Sequence, residues 1–173
     1  MKSSPIQLLE SFPEKILLTI SDSYDDKSTA GTFEKLDAQV FREIEDFPGF
    51  WETEPPVKGL EERTYNVTLG IRTPKGKSAG PYVFEFVISG VVVCVGSVGD
   101  RNPRDLAFEY GLTILYGNIR EQFAGLTARM RPGIRFLPTL SFIGEKPSDP
   151  MVEEVKHKPQ KRRAALRKKV ETE

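Results

Sequence analysis

The stretch YVFEFVISGVVVCV, residues 82–95, constrains the fold of this chain more than any other segment. It is long and consists mostly of β-branched and aromatic residues, which is typical of a strand. Tyr82, Phe84, Phe86, Ile88, Val92 and Cys94 would lie on one face, and Val83, Val87, Val91, Val93 and Val95 on the other. A strand that is apolar on both faces needs cover on both sides. We expect helices of the chain to cover one face, and a second subunit to contact the other through Val87, Val91 and Val93.

Two further segments have the pattern of strands. In RTYNVTLGIR, Tyr65, Val67, Leu69 and Ile71 alternate with polar residues or glycine, which is the period of a half-buried strand. TPKGKSAGP follows as a turn, so this strand and the stretch 82–95 should form a long antiparallel hairpin. KILLTI near the start of the chain is a third candidate.

The segment TFEKLDAQVFREIEDFPGFW, residues 32–51, is ambiguous. Phe33, Leu36, Val40, Ile44 and Phe47 fit the period of a helix, and a nearly equal set that includes Ala38 fits the period of a strand. Periodicity alone favours a helix here.

A helix should begin at Asn102-Pro103, because asparagine is a good N-cap and proline is favoured in the first turn. Its apolar positions are Leu106, Tyr110, Ile114, Leu115, Ile119, Phe123, Leu126 and Met130. Pro132 would end it. Strands first and a helix afterwards indicate an α+β fold rather than alternating α/β.

Composition excludes several classes of protein. With 173 residues we expect one domain, and there is no apolar run long enough for a membrane-spanning helix. Cys94 and His157 are each the single residue of their kind. This argues against an internal disulfide, a zinc site or a Cys/His nucleophile pair, and it favours a reducing cytoplasm. No clustered side chains indicate catalysis, so we expect no enzyme, no catalytic residue, no metal site and no cofactor.

Charge is distributed unevenly, although the net charge is zero. Residues 151–173 contain eight Lys/Arg and four Glu, a net of +4, so the remaining 150 residues carry −4. The segment KHKPQKRRAALRKK, residues 156–169, would attract phosphates or an acidic protein, or would serve only as a solubilising end. No aromatic residue is interleaved for stacking on bases. We expect a domain at 1–146 and a basic, mobile tail at 147–173.

An apolar strip, RFLPTLSF at residues 135–142, follows the helix. It is either an ordinary core strand or a surface that lines a groove for extended peptides. Pro138 argues against a central strand. FPGFW at residues 47–51 has the same character, since it also sets aromatic side chains beside Pro-Gly.

The chain resembles the SecB export chaperones and, more closely, their divergent SecB-like relatives. The similarity runs from about Pro5 to Phe142, as an early Pro5-Ile6-Gln7, the long hairpin, LYGNIRE at residues 115–121 and the strip FLPTLSF at residues 136–142. In LYGNIRE the family's Arg-Glu pair is kept as Arg120-Glu121, whereas its proline position corresponds approximately to Gly117.

The resemblance implies a four-stranded antiparallel sheet with helices packed on one face, and a strand over KLDAQVFREI, residues 35–44, against the periodicity argument. It implies a cytoplasmic homotetramer, built as a dimer of dimers, that takes part in protein export and translocation. Its activity would be ATP-independent binding of unfolded polypeptides or preproteins in apolar grooves. From the two apolar Pro-Gly segments and their match to the family's helix-connecting loop we expect the groove to be formed by Phe47, Trp51, Tyr116, Phe123, Phe136, Leu137, Leu140 and Phe142.

One departure from the family is the tail. The family's tail is acidic or polar and helps contact the SecA motor, whereas here it is basic, which argues against docking to SecA. Two alternatives stay open: a SecB-like chaperone of a toxin–antitoxin system, and a nucleic-acid-binding protein that acts through its basic tail.

Overall fold

The computed structural model describes residues 4–22, 38–74, 81–147 and 153–155. Five strands and one α-helix follow in chain order: β1 (Ile6–Ile20), β2 (Ala38–Asp46), β3 (Thr64–Arg72), β4 (Tyr82–Cys94), α1 (Pro103–Thr127) and β5 (Glu153–Val155). Single 3-10 turns lie at Pro48–Phe50 and Glu61–Arg63.

The strands form one antiparallel sheet in the order β1-β4-β3-β2-β5. β3 and β4 form the predicted hairpin, with Tyr65 opposite Val92 and Arg72 opposite Glu85. The α+β prediction, with a four-stranded antiparallel sheet and a helical layer on one face, is confirmed. Among the described residues that layer holds a single α-helix, and the short β5 extends the sheet beside β2.

The segment of ambiguous periodicity is a strand where the structure describes it, so the periodicity argument for a helix was wrong and the family resemblance was right. β2 pairs with β3 from Gln39 opposite Arg72 to Asp46 opposite Tyr65. Val40 and Ile44 are four residues apart, and that spacing puts two side chains on one face of a strand and of a helix alike. Periodicity could therefore not distinguish a strand from a helix in this segment, whereas the pairing with β3 does. Phe33 and Leu36 lie outside the described residues.

β1 is longer than the KILLTI segment that predicted it. It pairs with β4 along its whole length, with register shifts between Leu8 and Glu10 and between Pro13 and Lys15. β1 ends the sheet order, which is where a strand tolerates a proline such as Pro13. The shifts break the alternation of apolar and polar residues, which hides the first half of the strand from a pattern search.

α1 covers one face of β3 and β4. The side chain of Asn102 accepts a hydrogen bond from the Arg104 amide at 2.9 Å, as an N-cap should. Phe123 packs against the rings of Tyr82, Phe84 and Phe86 at centroid distances of 5.1 to 6.1 Å. No helix among the described residues is long and apolar enough to cross a membrane.

The two faces of the sheet differ in what covers them. Even-numbered residues of β4 point toward α1, and pairing places the even-numbered residues of β2 and the odd-numbered residues of β3 with them. The opposite face, hereafter the open face, carries no helix in the described part of the chain. Its centre is formed by Phe41, Thr68, Val87 and Ser89.

Candidate client-binding surface

The apolar strip after α1 folds back and runs antiparallel to the helix without forming a strand. At its start the Arg135 amide donates to the Thr127 hydroxyl at 3.1 Å. Further along, the Tyr116 hydroxyl donates to the Pro138 carbonyl. The strip is therefore held along the helix by side chains of α1, and it needs no sheet partner.

Side chains of the strip and its flanks divide into an inner and an outer set. Leu137 is 2% exposed and Phe142 is 3% exposed, and Leu140 is half-buried against the same core. Phe136 is 49% exposed and Ile143 is 83% exposed. Ile134, just before the strip, is also exposed. The inner set anchors the strip, so the outer apolar side chains remain in contact with water.

Tyr116 is the centre of the inner contacts. Its ring meets Phe142 edge-on at a centroid distance of 5.7 Å, and the Arg120 guanidinium lies 6.0 Å from the ring centroid. Burial raises the pKa of Tyr116 to about 12, although the charge of Arg120 opposes the shift. The hydroxyl is therefore protonated at neutral pH and donates to Pro138.

The far end of the strip is fixed by charges. Glu109 of α1 is buried, accepts a hydrogen bond from the Gly144 amide at 3.2 Å, and forms a salt bridge with Arg101 at 2.7 Å. Glu145 forms a salt bridge with Arg42 of β2 at 3.0 Å. These contacts fix the chain just beyond the strip to both α1 and the sheet.

The structure does not bring the whole predicted groove together. Tyr116, Leu137 and Phe142 share one contact region, and Phe123 lies deeper in the core between α1 and β4. Trp51 belongs to the other side of the sheet: its indole N–H donates at 3.3 Å to the hydroxyl of Thr64, which lies opposite Val93 and so shares the open face.

Phe47 lies near Trp51 and not near the strip. It stands in a short aromatic row with Phe50 and Trp51, with centroid distances of 6.2 and 5.2 Å. The aromatic row therefore lies on the open-face side of the sheet, and no contact found among the described residues joins it to the strip.

The residues predicted for the subunit interface lie on the open face, but the chain already covers them. Val93 is 1% exposed and Val91 is 2% exposed, and Val87 is also buried. Any partner on this face would meet the residues around these valines. Phe12 and Leu17 of β1 are exposed there, since each pairs with an odd-numbered residue of β4.

Sequence reasoning missed a second apolar surface on the helical side. Ile16 and Ile20 of β1 pair with Phe86 and Tyr82 and therefore face the helical layer, yet both are exposed. Leu126 in the last turn of α1 is exposed as well. The alternation in KILLTI already placed Ile16 and Ile20 on one face, but it could not tell that α1 stops short of covering them.

Cys94 is not placed for chemistry. Its thiol is buried and donates to the Pro103 carbonyl at 3.2 Å, and burial raises its pKa to about 11. His157 lies outside the described residues. Among the described residues no group of three or more His, Cys, Asp or Glu is placed to hold a metal ion.

Comparison with known proteins finds a likeness in structure and none in sequence. No protein-family model matches the chain. No curated protein matches it at the significance required. A solved structure is similar to this one. It is the Mycobacterium tuberculosis Rv1957 SecB-like chaperone in complex with a ChAD peptide from the Rv1956 HigA1 antitoxin, with a TM-score of 0.49 and 14% sequence identity. The match covers 79% of this chain and 90% of that one.

Proposed function

We propose that this protein is an ATP-independent chaperone that holds unfolded polypeptides on its helical side. One observation carries the proposal: α1 fixes the apolar strip along its length so that Phe136, with Ile134 before it and Ile143 after it, stays exposed. A strip held in this way presents apolar side chains without collapsing into the core. The motif order shared with SecB-like chaperones supports the same function.

Client binding on such a surface would be weak at each contact and tolerant of sequence. A fully buried Leu or Phe side chain contributes roughly 1.5–3 kcal/mol, so a few partly exposed positions suffice for an extended chain. The surface formed by Ile16, Ile20 and Leu126 offers further apolar contact on the same side of the sheet. Release by refolding or transfer to another protein would need no nucleotide.

The cellular setting belongs to the same proposal. We place the protein in the cytoplasm as a homotetramer that serves export-destined chains, with SecA an improbable partner because the tail is basic. The exposed apolar residues of β1 on both of its faces support self-association along that strand. An antitoxin would be held on the same surface, and identifying the polypeptides that co-purify with the protein decides between the two clients.

The test replaces the outer side chains of the strip region. Ile134→Ser with Phe136→Ser should weaken binding of an unfolded model protein by about 1–3 kcal/mol, because both side chains would be buried by a client. Binding is measured by fluorescence anisotropy of a labelled client, and folding by a circular-dichroism melt.

The matched control removes two exposed side chains elsewhere, Tyr110→Ser on α1 and Val57→Ser in the loop before β3. The control should bind the client as the natural protein does. Equal weakening in both double variants, or unchanged binding in the strip variant, would contradict the proposal.

Trp51 distinguishes the two halves of the predicted groove, because it is the single tryptophan of the chain. If clients bind only at the strip, its emission should stay constant when a tryptophan-free client is added. A blue shift that saturates with client would instead assign binding to the aromatic row that contains Phe47 and Trp51.

A further inference from the structure

The open face contains an acidic depression near its centre. The depression has a volume of about 560 Å³, and its lining comes from β1, β2, β3 and β4. It is lined by Glu14, Lys15, Phe41, Glu43, Glu45, Asn66, Thr68 and Val87. Phe41 covers Gly70 so closely that a Cβ there would lie 1.7 Å from the ring. The floor is therefore partly apolar, and carboxylates surround it.

The negative charge of this depression is largely uncompensated. Among the described residues Lys15 is the single cation in the lining, and it forms a salt bridge with Glu85 at 2.5 Å. Within the described part of the chain no salt bridge reaches Glu14, Glu43 or Glu45. The buried Ser89 hydroxyl donates to Glu14 and holds that carboxylate over the sheet.

A buried acceptor adds to the carboxylates. The side-chain oxygen of Asn66, in the lining, is buried and has no hydrogen-bond partner among the described residues. An acceptor without a donor costs free energy, so an N–H group that reached this oxygen as the side chain adjusted would be stabilised. Lysine and arginine side chains supply such groups together with positive charge.

The chain itself carries a segment of matching chemistry. Residues 156–169 contain eight Lys/Arg and no acidic residue, and they come directly after β5. β5 pairs with β2, the strand that carries Glu43 and Glu45, and Val155 lies opposite Ala38. The basic segment thus starts at the edge of the face that carries the depression.

Chain length allows the segment to reach the carboxylates after reversing direction. From Ala38 to Glu43 the distance along β2 is about 17 Å, at roughly 3.3 Å per residue. From Val155 to Lys161 an extended chain spans about 20 Å, and two more residues reach Arg163. Lys161, Arg162 and Arg163 are therefore within reach of Glu43 and Glu45.

We propose that the basic segment 156–169 docks in cis on the acidic depression of the open face, with Lys161, Arg162 and Arg163 facing Glu43 and Glu45. Docking of the segment places its positive charge beside Glu43 and Glu45, and it covers Phe41. The open face is then not available to other basic ligands unless they displace the tail. This proposal does not depend on client binding.

The test uses the full chain with a fluorescent maleimide on Ala165→Cys. Cys94 is buried and should stay unmodified in the folded protein. Time-resolved anisotropy then measures the fraction of probe that rotates independently of the body. Glu43→Gln with Glu45→Gln should shift the ratio of docked to undocked segment by roughly 2- to 30-fold toward the undocked state, the range expected for two exposed ion pairs.

The matched control removes the same charge from elsewhere, as Asp100→Asn with Glu121→Gln, both exposed and outside the depression. This control should leave the independently rotating fraction of the probe unchanged. A reciprocal variant, Lys161→Gln with Arg162→Gln and Arg163→Gln, should release the probe as the Glu43/Glu45 variant does. This variant keeps the test valid if the substitutions in β2 disturb folding.

Three results would overturn the proposal. The first is an independently rotating fraction of probe that stays the same in both the Glu43/Glu45 variant and the tail variant. The second is an equal loss of docked segment in the Asp100/Glu121 control, which would mean that only the net charge of the protein matters. The third is a docked fraction that falls as the protein is diluted, because the segment would then bind a second copy of the chain.

Discussion

Gly70 in β3 is a position where one absent side chain determines the packing of another. The ring of Phe41 occupies the space where a Cβ would stand, with the nearest ring atom 1.7 Å from that point. Gly70→Ala should therefore expel the ring from the open face and lower the free energy of unfolding by about 1–3 kcal/mol. Denaturant unfolding measures the change.

A double-mutant cycle shows whether the Phe41 ring causes the loss of stability in Gly70→Ala. In a Phe41→Ala background the space above residue 70 is empty, so adding Gly70→Ala should cost much less. If alanine at residue 70 costs the same in both backgrounds, the backbone of β3 and not the ring is responsible.

Cys94 sets a pH dependence of stability. Its pKa is raised from 9.0 to about 11 by burial, so between these values the unfolded chain releases a proton that the folded chain keeps. The folded state binds more protons there, and stability falls as pH rises from 9 to 11, by about 1–3 kcal/mol. Cys94→Ala should flatten this part of the curve but not abolish the slope, since the pKa values of Tyr65 and Tyr116 are also raised. An identical slope in the variant would show that the thiol is not responsible.

At the scale of elements, the sequence predicted the strands and the helix whose periodicity of apolar residues is contained within one segment of the chain. The hairpin of β3 and β4 alternates regularly, and α1 has a cap at Asn102 and apolar residues at helical spacing. β2 and the first half of β1 depend on partners that are distant in the chain. A residue spacing of four in β2 and two register shifts in β1 removed the local signal.

The contact between α1 and the strip has one buried charge that can be tested. Glu109→Gln keeps an oxygen that can accept from the Gly144 amide but loses the salt bridge with Arg101, so it should lower the free energy of unfolding by about 1 kcal/mol. The far end of the strip should also be released locally, and hydrogen exchange of the Gly144 amide should accelerate. Glu121→Gln on the exposed side of the same helix is the control, and equal rates in the two variants would mean that Glu109 does not hold the strip.

At the scale of the whole molecule, sequence reasoning identified the two apolar segments but not their relation. Proline and aromatic content predicted that 47–51 and 135–142 would be irregular and apolar. Which face of the sheet each lies on depends on the pairing of Thr64 with Val93 and on the direction in which the strip returns along α1. Neither relation has a signature in local sequence, so Trp51 and Phe136 were assigned to one groove although the sheet lies between them.

The last prediction concerns the end of the chain, where a strand and a basic segment are adjacent in sequence. A chain that stops after Pro150 loses β5 and the +4 charge of residues 151–173, whereas one that stops after Val155 keeps β5 and loses residues 156–173 alone. β5 contributes three pairs at the edge of β2, so the shorter chain should still unfold cooperatively, with a melting temperature lower by about 2–8 °C. The melting temperature of the chain that ends at Val155 should fall less, and this fall should shrink strongly at about 1 M salt, where interactions between exposed charges more than about 3 Å apart are largely screened. Calorimetric melts of both chains and the full chain at low and high salt separate the two contributions. If the shorter chain lost cooperative unfolding, residues 151–173 would belong to the core of the fold, and the expected boundary after residue 146 would have to be abandoned.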